Sequence, residues 1–303
     1  MLDVCLLGCG GMLPLPDRRL TAMLCRYNGK MVLVDCGEGT QVAINIAGWG
    51  FNSIDALCIT HYHADHIAGL PGFLLTLGNN GREEPLTIFG PPGLKSVIKG
   101  LTIIAPQLPY EINLVELSDV SQEKNQIGEI TMYSLPVDHG LTCLAYSLQV
   151  QRQGKFDVER AKKFAIPMHF WSRLQKGKTI EYEGKCFEPA MVLGRPRKGL
   201  KITYCTDTRP VDELVDFSQN SDLLISEGMY GDDKLEKAIE YKHMVFSEAA
   251  RLARNSNSRE LWLTHFSPSI TNPDLLIDEA KIVFPNTVQG KDLMKKTFKF
   301  EEE

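Results

Sequence analysis

Residues 60–72, THYHADHIAGLPG, place three histidines and an aspartate within six positions. His61 and His63 lie two residues apart in what should be a loop after a strand, so both rings can face one point. Asp65 and His66 follow on the first turn of the next helix and can face a second point beside the first. Imidazole and carboxylate ligands favour zinc or another borderline divalent ion, and two ions about 3.5–4 Å apart can activate a water molecule. This stretch therefore predicts a two-metal centre.

Three further residues lie where additional metal ligands are needed. His139 ends the strand-like run in LPVDHG, His265 ends the run in LWLTHFSP, and Asp207 ends the run in KITYCTDTRP. Loops that leave the ends of strands are where rigid scaffolds hold functional side chains. Taken singly, each residue could equally be an ordinary loop histidine or a turn aspartate. Taken together, they are expected to complete the two metal sites, with Asp207 as the bridge.

Composition and patterning indicate a globular α/β protein. The chain has 303 residues, of which 43% are hydrophobic and 23% charged, and this suits one large domain. Short β-branched runs alternate with glycine-rich turns and with helices predicted at 66–78, 92–105, 209–218 and 246–255. No apolar run reaches the roughly 18–20 residues needed to cross a bilayer, and MLDVCLLGCGG lacks the features of a signal peptide. We therefore expect a cytoplasmic protein without membrane contact.

The eight cysteines form no C-x-x-C pair, and most lie within apolar strand-like runs. Thiolate ligands usually come in close pairs, so a metal-binding role for them is disfavoured. Reduced, buried thiols are the expected state.

Basic charge is concentrated in one segment. Residues 151–201 contain thirteen Lys and Arg against five Asp and Glu, a net charge of +8, which leaves −13 for the rest of the chain. Phe156, Trp171 and Tyr182 are interleaved with this charge. Basic and aromatic side chains together suit a nucleic-acid backbone with exposed bases. A solvated insertion with a small apolar base is the alternative, and charge alone does not decide between the two.

Several motifs carry a resemblance to a known family. HYHADH, DHG, CTDTRP and THFS, together with LVDCGEGTQ, resemble the motifs of the metallo-β-lactamase superfamily. DCGEGTQ, KHMVFSEAA and the basic insertion narrow the resemblance to its ribonuclease Z branch, and LGCGGMLPLPDRR, GLPGFL, FDVERAKKFAIP and LGRPRKG extend it over nearly the whole chain. The resemblance implies a four-layer αββα sandwich formed by residues 1–303 as one domain, with an inserted flexible RNA-binding arm at approximately 151–201.

The same resemblance implies roles for the site residues. The first zinc would be bound by His61, His63 and His139. The second would be bound by Asp65, His66 and His265. Asp207 would bridge the two ions. Asp35 would fix the tautomer and orientation of a ligand histidine without binding the metal itself. Asp65 would also orient or deprotonate the nucleophile. His243, positioned by Glu227, would protonate the leaving oxygen.

The implied activity is that of an endoribonuclease that removes 3′ trailers from precursor tRNA and leaves a 3′-hydroxyl. Two zinc ions are expected, although the same ligands accept manganese or iron. The family also implies a homodimer. The positions that match RNA contacts are Arg18, Arg19, Lys155, Arg160, Lys162, Lys163, Lys176 and Lys178.

Two alternatives stay open beside this interpretation. A hydrolase on the same scaffold could act on small phosphodiesters or other esters, although it would have no need of a +8 arm. A non-catalytic RNA- or metal-binding module would predict a broken ligand set, and no ligand position is broken. The chain also departs from the family pattern, since AIPMHFWSR lacks the usual Gly-Pro turn and Arg18–Arg19 stands where the family has Arg-Asn.

Overall fold

The computed structural model describes residues 1–301, which form two compact units. The larger unit comprises Met1–Gln149 and Lys201–Lys299. The smaller unit comprises Val150–Leu200 and the chain from Phe300 onward.

Sixteen strands occur in the described residues: β1 Leu2–Gly8, β2 Ala22–Tyr27, β3 Lys30–Val34, β4 Ile54–Cys58, β5 Leu86–Gly90, β6 Ile112–Glu116, β7 Glu123–Ile127, β8 Ile130–Asp138, β9 Thr142–Arg152, β10 Ile180–Tyr182, β11 Lys185–Phe187, β12 Arg197–Cys205, β13 Leu223–Glu227, β14 Leu261–Thr264, β15 Thr287–Gln289 and β16 Met294–Phe298. Ten α-helices accompany them over the same part of the chain: α1 Thr40–Ala47, α2 Ala64–Ile67, α3 Leu70–Asn79, α4 Leu94–Leu101, α5 Val158–Lys163, α6 Trp171–Gln175, α7 Glu213–Phe217, α8 Leu235–Glu240, α9 Phe246–Asn255 and α10 Ile277–Val283.

Two seven-stranded sheets form the larger unit. The first has the strand order β16-β1-β2-β3-β4-β5-β6, and the second has the order β15-β14-β13-β12-β9-β8-β7. Helices α1, α3 and α4 pack on the first sheet, while α7, α9 and α10 pack on the second. Strands such as LDVCLLG (β1) and LLISE (β13) are almost wholly buried, as expected for sheets covered on both faces. The predicted α/β fold with an αββα arrangement is confirmed.

Hydrogen bonds between the sheets tie the sandwich together close to the predicted metal ligands. The Thr21 and Thr264 hydroxyls lie 2.7 Å apart, and the Tyr146 hydroxyl donates to the Ile59 carbonyl at 2.7 Å. These groups are buried, so each bond satisfies polar atoms that would otherwise be costly to remove from water.

The helix predicted at 66–78 is two helices, α2 and α3. At the break, the Gly69 N–H donates to the Cys36 carbonyl at 3.0 Å, and a Cβ on Gly69 would lie 2.0 Å from the Gly37 carbonyl oxygen. Only glycine permits this close backbone approach. The packing of the DCGEGTQ loop against the metal motif therefore divides the helix, a tertiary effect that local pattern does not contain. The helix predicted at 246–255 corresponds to α9 as expected.

Parallel pairing places the carboxyl ends of several strands together. β3 pairs in parallel with β4, and β13 pairs in parallel with both β12 and β14. The residues that follow these strands therefore emerge at corresponding edges of their sheets, the position where α/β proteins place ligand sites.

The smaller unit has a hydrophobic cluster of its own. Helices α5 and α6 and the hairpin β10–β11 enclose buried side chains that include Phe170, Leu174 and Phe187. The Phe156 and Trp171 rings are 5.4 Å apart, and the Asp157 carboxylate caps α5 by accepting from the Arg160 N–H. Whether this unit is a flexible RNA-binding arm stays a prediction. None of the helices in the described part of the chain has the length and apolar character that a bilayer span requires.

Candidate metal centre

Six histidines and two aspartates converge at the edge where β4, β8, β12 and β14 end. His61 and His63 lie in the loop after β4, and α2 carries Asp65 and His66 one turn later. The remaining members follow directly after β8, β12 and β14 or precede α9; they are His139, Asp207, His265 and His243. A cleft of about 390 Å³ opens onto this cluster.

The first set of ligand atoms comes from three imidazoles. His61 Nε2 lies 3.0 Å from His63 Nδ1, and His139 Nε2 lies 3.2 Å from the same His63 atom. Nitrogen ligands bound tetrahedrally at about 2.0–2.1 Å from zinc lie roughly 3.3 Å from one another. Both distances are close to this spacing, and all three ligand atoms lie within 4.8 Å of one another, so the three imidazoles could hold one ion.

The second set combines two imidazoles with two carboxylates. His66 Nε2 is 3.2 Å from His265 Nε2 and 3.5 Å from Asp65 Oδ2, and His265 Nε2 is 3.3 Å from that same carboxylate oxygen. Asp207 Oδ2 lies 3.2 Å from His66 and 3.4 Å from His265. Its other oxygen, Oδ1, faces the first set and is 3.7 Å from His139 Nε2. Asp207 thus reaches both sets, the arrangement expected of a bridging ligand.

One buried polar atom supports a fit to metal. Within residues 1–301, Asp207 Oδ2 has no hydrogen bond of normal geometry, although two imidazole nitrogens lie 3.2 and 3.4 Å from it. A buried carboxylate oxygen without a donor is costly unless a cation satisfies it. The donor set of imidazole and carboxylate suits zinc, and the residues present therefore fit two divalent ions.

The histidine rings are oriented by bonds on the side away from the cluster. His66 Nδ1 donates to Asp35 Oδ2 at 2.8 Å, and His139 Nδ1 donates to the Lys242 carbonyl at 3.2 Å. His61 Nδ1 lies 3.0 Å from the Thr60 hydroxyl, which in turn bonds Asp35. Placing the proton on Nδ1 leaves Nε2 as the ligand atom in all three rings.

Asp35 is fully buried and accepts hydrogen bonds from several groups at once. Its Oδ1 accepts from the Thr60 N–H and hydroxyl, both at 2.9 Å, while Oδ2 faces His66. Thr60 belongs to the quoted motif, yet its role was not anticipated from sequence. The signal was present, because a hydroxyl directly before the first histidine can reach both the acid and the ring.

Burial and the neighbouring carboxylates shift the histidine pKa values of the cluster in opposite directions. Burial lowers the pKa of His61, His63 and His139, which keeps these rings in the neutral form that binds metal. For His66, burial acts in the same direction, but the Asp207 and Asp35 carboxylates outweigh it and raise the pKa well above its usual range. Burial opposes ionisation of Asp207, yet the neighbouring histidines hold its pKa well below normal.

Three of the site residues adopt left-handed backbone conformations. The φ angles are 61° for Asp35, 54° for Asp207 and 56° for His265. Such conformations cost of order 1–3 kcal/mol each in a residue with a side chain, and they persist where the surrounding structure enforces them. The bonds of Asp35 to Thr60 and the contacts of Asp207 and His265 within the cluster hold these conformations in place. Gly11 serves the same site, since a Cβ there would lie 2.7 Å from the His265 ring.

His243 and Glu227 form a pair beside the second face of Asp207. His243 Nδ1 donates to Glu227 Oε2 at 2.9 Å and lies 3.7 Å from Asp207 Oδ1. Burial disfavours the charged imidazole, but the Glu227 carboxylate outweighs it and raises the pKa of His243 to about 9. This raised pKa favours the charged ring, and because Nδ1 bonds Glu227, Nε2 is the nitrogen that is left for another partner.

The predicted RNA contacts fall into two groups. Arg18 donates to the Ser267 carbonyl at 3.3 Å and to the Ile270 carbonyl at 2.8 Å, and Arg19 is ion-paired with Asp292 at 3.2 Å. Arg18 therefore supports the loop after His265, whereas Arg19 contacts the segment between β15 and β16. The lysines and arginine of the smaller unit are exposed at every predicted position: Lys155, Arg160, Lys162, Lys163, Lys176 and Lys178.

Comparison with known proteins identifies the family. Over its full length the chain is 56% identical to ribonuclease Z of Clostridium kluyveri, with 303 residues aligned and both chains covered completely. It is 54% identical to ribonuclease Z of Clostridium acetobutylicum, with 99% of each chain covered. The chain belongs to the ribonuclease Z family. The family model described as anti-Pycsar protein Apyc1 also matches residues 2–153, a range that includes the HYHADH motif and His139 but ends before Asp207.

Solved structures agree with the ribonuclease Z fold. The short form of human tRNase Z is similar with a TM-score of 0.69 at 23% identity, covering 97% of this chain and 98% of the human one. The metallo-β-lactamase fold protein YhfI of Bacillus subtilis is similar with a TM-score of 0.71 at 21% identity, with the same coverage. The fold is that of the metallo-β-lactamase proteins.

Proposed function

We propose that this chain is a two-zinc endoribonuclease that removes 3′ trailers from tRNA precursors and leaves a 3′-hydroxyl. One observation carries the proposal: two ligand sets joined by Asp207 lie beside His243, which is hydrogen-bonded to Glu227. Relatives named ribonuclease Z at 54% and 56% identity over nearly the full chain support it.

The residues that would hold the first ion are His61, His63 and His139, and those for the second are Asp65, His66 and His265, with Asp207 shared. Two divalent ions supply Lewis-acid stabilisation for the charge that develops on the phosphate oxygens. Manganese or iron could replace zinc in the same donor set.

The chain's own groups then divide the proton transfers. Asp65 Oδ2 accepts from the Met12 N–H at 2.7 Å and is held at the cleft, where it can orient and deprotonate the attacking water. His243 bonds Glu227 through Nδ1, so its other nitrogen is the one available to donate a proton to the leaving 3′ oxygen. The ribose oxygen is a poor leaving group, and its protonation in the transition state lowers the activation free energy for its departure.

The basic smaller unit is proposed as the RNA-binding arm. Its net charge of +8 over residues 151–201 and its six exposed predicted contacts support electrostatic binding of phosphates. From the family resemblance, the protein is also proposed to be a homodimer in the cytoplasm. Light scattering tests the oligomeric state.

The decisive experiment compares two substrates. A 3′-extended tRNA precursor and bis(p-nitrophenyl) phosphate are incubated with the zinc-loaded and manganese-loaded protein, with His63→Ala as the control. A single cut at the acceptor end, absent in His63→Ala, supports the proposal. Hydrolysis of the small diester with no cut in the precursor would refute it and favour the small-phosphodiester alternative.

A further inference from the structure

Arg209 lies two residues beyond the bridging Asp207 and contacts the backbone of His243. Its Nη1 donates to the His243 carbonyl at 2.5 Å. The Arg209 N–H donates to the Asp138 carbonyl at 2.9 Å, so the residue is anchored to the end of β8, directly before His139. Through its side chain and its backbone, Arg209 therefore connects the loop that carries His243 to the two strand ends that carry His139 and Asp207.

A second contact sets the direction of the Arg209 guanidinium. Its Nη1 and Nη2 donate to the two Glu248 oxygens at 2.8 and 2.5 Å, and both side chains are largely buried. A bidentate arginine–carboxylate pair has a defined plane, so the remaining N–H direction is defined too. Glu248 Oε2 also accepts from the Val245 N–H at 3.1 Å, two residues after His243. The pair thus holds the loop at the His243 carbonyl and at the Val245 N–H.

We propose that the Arg209–Glu248 pair is the positioning device for His243, placing its ring for proton donation to the leaving oxygen. The inference rests on the proposed function, in which His243 is the acid. General acids contribute roughly 10²–10⁴-fold, and displacement of a catalytic group by about 1 Å can cost 10²-fold. A lysine at this position could not replace the Arg209 guanidinium, because one ammonium group cannot bond both Glu248 oxygens and the His243 carbonyl with the same geometry.

The test is Arg209→Met, assayed on the 3′-extended precursor and on bis(p-nitrophenyl) phosphate. The nitrophenolate leaves without protonation, so a mispositioned acid affects it little, whereas the ribose oxygen depends on it. We expect kcat for the precursor to fall by roughly 10- to 100-fold with KM and zinc content retained, and a far smaller loss on the small diester. Arg251→Met is the matched control, since Arg251 lies on α9 and bonds Ser247 instead. Equal losses on both substrates would overturn the proposal.

A second variant separates positioning from charge balance. If Arg209 merely neutralises Glu248, then Arg209→Met/Glu248→Gln removes both charges and should restore turnover; full restoration refutes the proposal. If the pair positions His243, the double variant stays slow, and Arg209→Met causes no further loss in a His243→Ala background.

Failure of the proposed function has a different signature. In that case the unmodified zinc-loaded protein fails to cut the precursor at all. The ring NMR signals of His243, which need no substrate, still test the contact: they should change in Arg209→Met and stay in place in Arg251→Met, and unchanged signals in Arg209→Met would overturn the proposal.

Discussion

Asp35→Asn is the substitution whose effect on zinc affinity follows most directly from the structure. The carboxylate accepts from the Thr60 N–H, the Thr60 hydroxyl and His66 Nδ1 at 2.8–2.9 Å. An asparagine has one acceptor and one donor end, so it cannot serve all three donors. Whichever way the amide is turned, one buried partner loses its acceptor.

The two orientations have comparable costs. With the amide nitrogen toward His66, Nδ1 must become the acceptor, and the proton moves to Nε2, the ligand atom. With the nitrogen toward Thr60, a buried backbone N–H is left without an acceptor, at about 1–3 kcal/mol. Substitution of such supporting residues typically lowers metal affinity 10- to 100-fold, which corresponds to about 1.4–2.7 kcal/mol. We therefore expect a zinc dissociation constant raised by one to two orders of magnitude.

Competition with a chromophoric chelator measures this affinity, and thermal unfolding of the metal-free protein reports the stability separately. Asp55→Asn is the control, because Asp55 forms a partly exposed ion pair with Lys30 at 2.6 Å and such pairs contribute at most about 1 kcal/mol. Zinc affinity unchanged in Asp35→Asn, or lowered equally in Asp55→Asn, would refute the tautomer argument.

Other expectations follow from the same geometry. His243→Ala should retain zinc but lose at least about 10²-fold in kcat for the precursor, and unchanged turnover would remove it from the mechanism. Burial lowers the pKa of His243, but the Glu227 carboxylate outweighs this effect and raises it to about 9. Glu227→Gln should therefore move the alkaline decline of RNA cleavage to lower pH, and an unmoved pH–rate profile would contradict this. Lys163→Ala should weaken precursor binding and reduce the salt dependence by about one charge, measured by titration against salt, whereas exposed Lys99→Ala on α4 should not. Removal of metal by chelation should abolish cleavage and lower the melting temperature, and a metal-free protein with full activity would exclude metal catalysis.

Local pattern was sufficient for much of the site. Metal ligands are chemically distinctive, and the HYHADH motif exceeds what a helix cap requires, since capping would account for Asp65 but not for three histidines. His139, Asp207 and His265 were found because each ends an apolar run, and the carboxyl ends of strands are where ligands gather. The structure brings these residues within ligand distance of one another. Their roles as ligands stay predictions until metal is measured.

Residues that act through backbone contacts were missed. Arg209 and Glu248 contact the His243 carbonyl and the Val245 N–H, and backbone atoms leave no signature in the identity of the residues that bond them. The RNA contact of Arg18 stays a prediction, and in this structure its guanidinium donates to two carbonyls of the loop after His265. An arginine near a site looks the same in sequence whether it faces a substrate or its own chain.

The sequence by itself determined the fold class, the set of candidate metal ligands and the location of the basic segment, because apolar periodicity, ligand type and net charge are properties of the residues themselves. Tertiary structure decided which oxygen of Asp207 faces which ligand set, where the 66–78 helix breaks, and how Asp35 and Thr60 orient the rings. These features depend on distances between segments far apart in the chain. Pairing of β3 with β4 brings Asp35 to Thr60, and packing of the two sheets brings Asp207 to His66, so only the folded chain specifies these contacts.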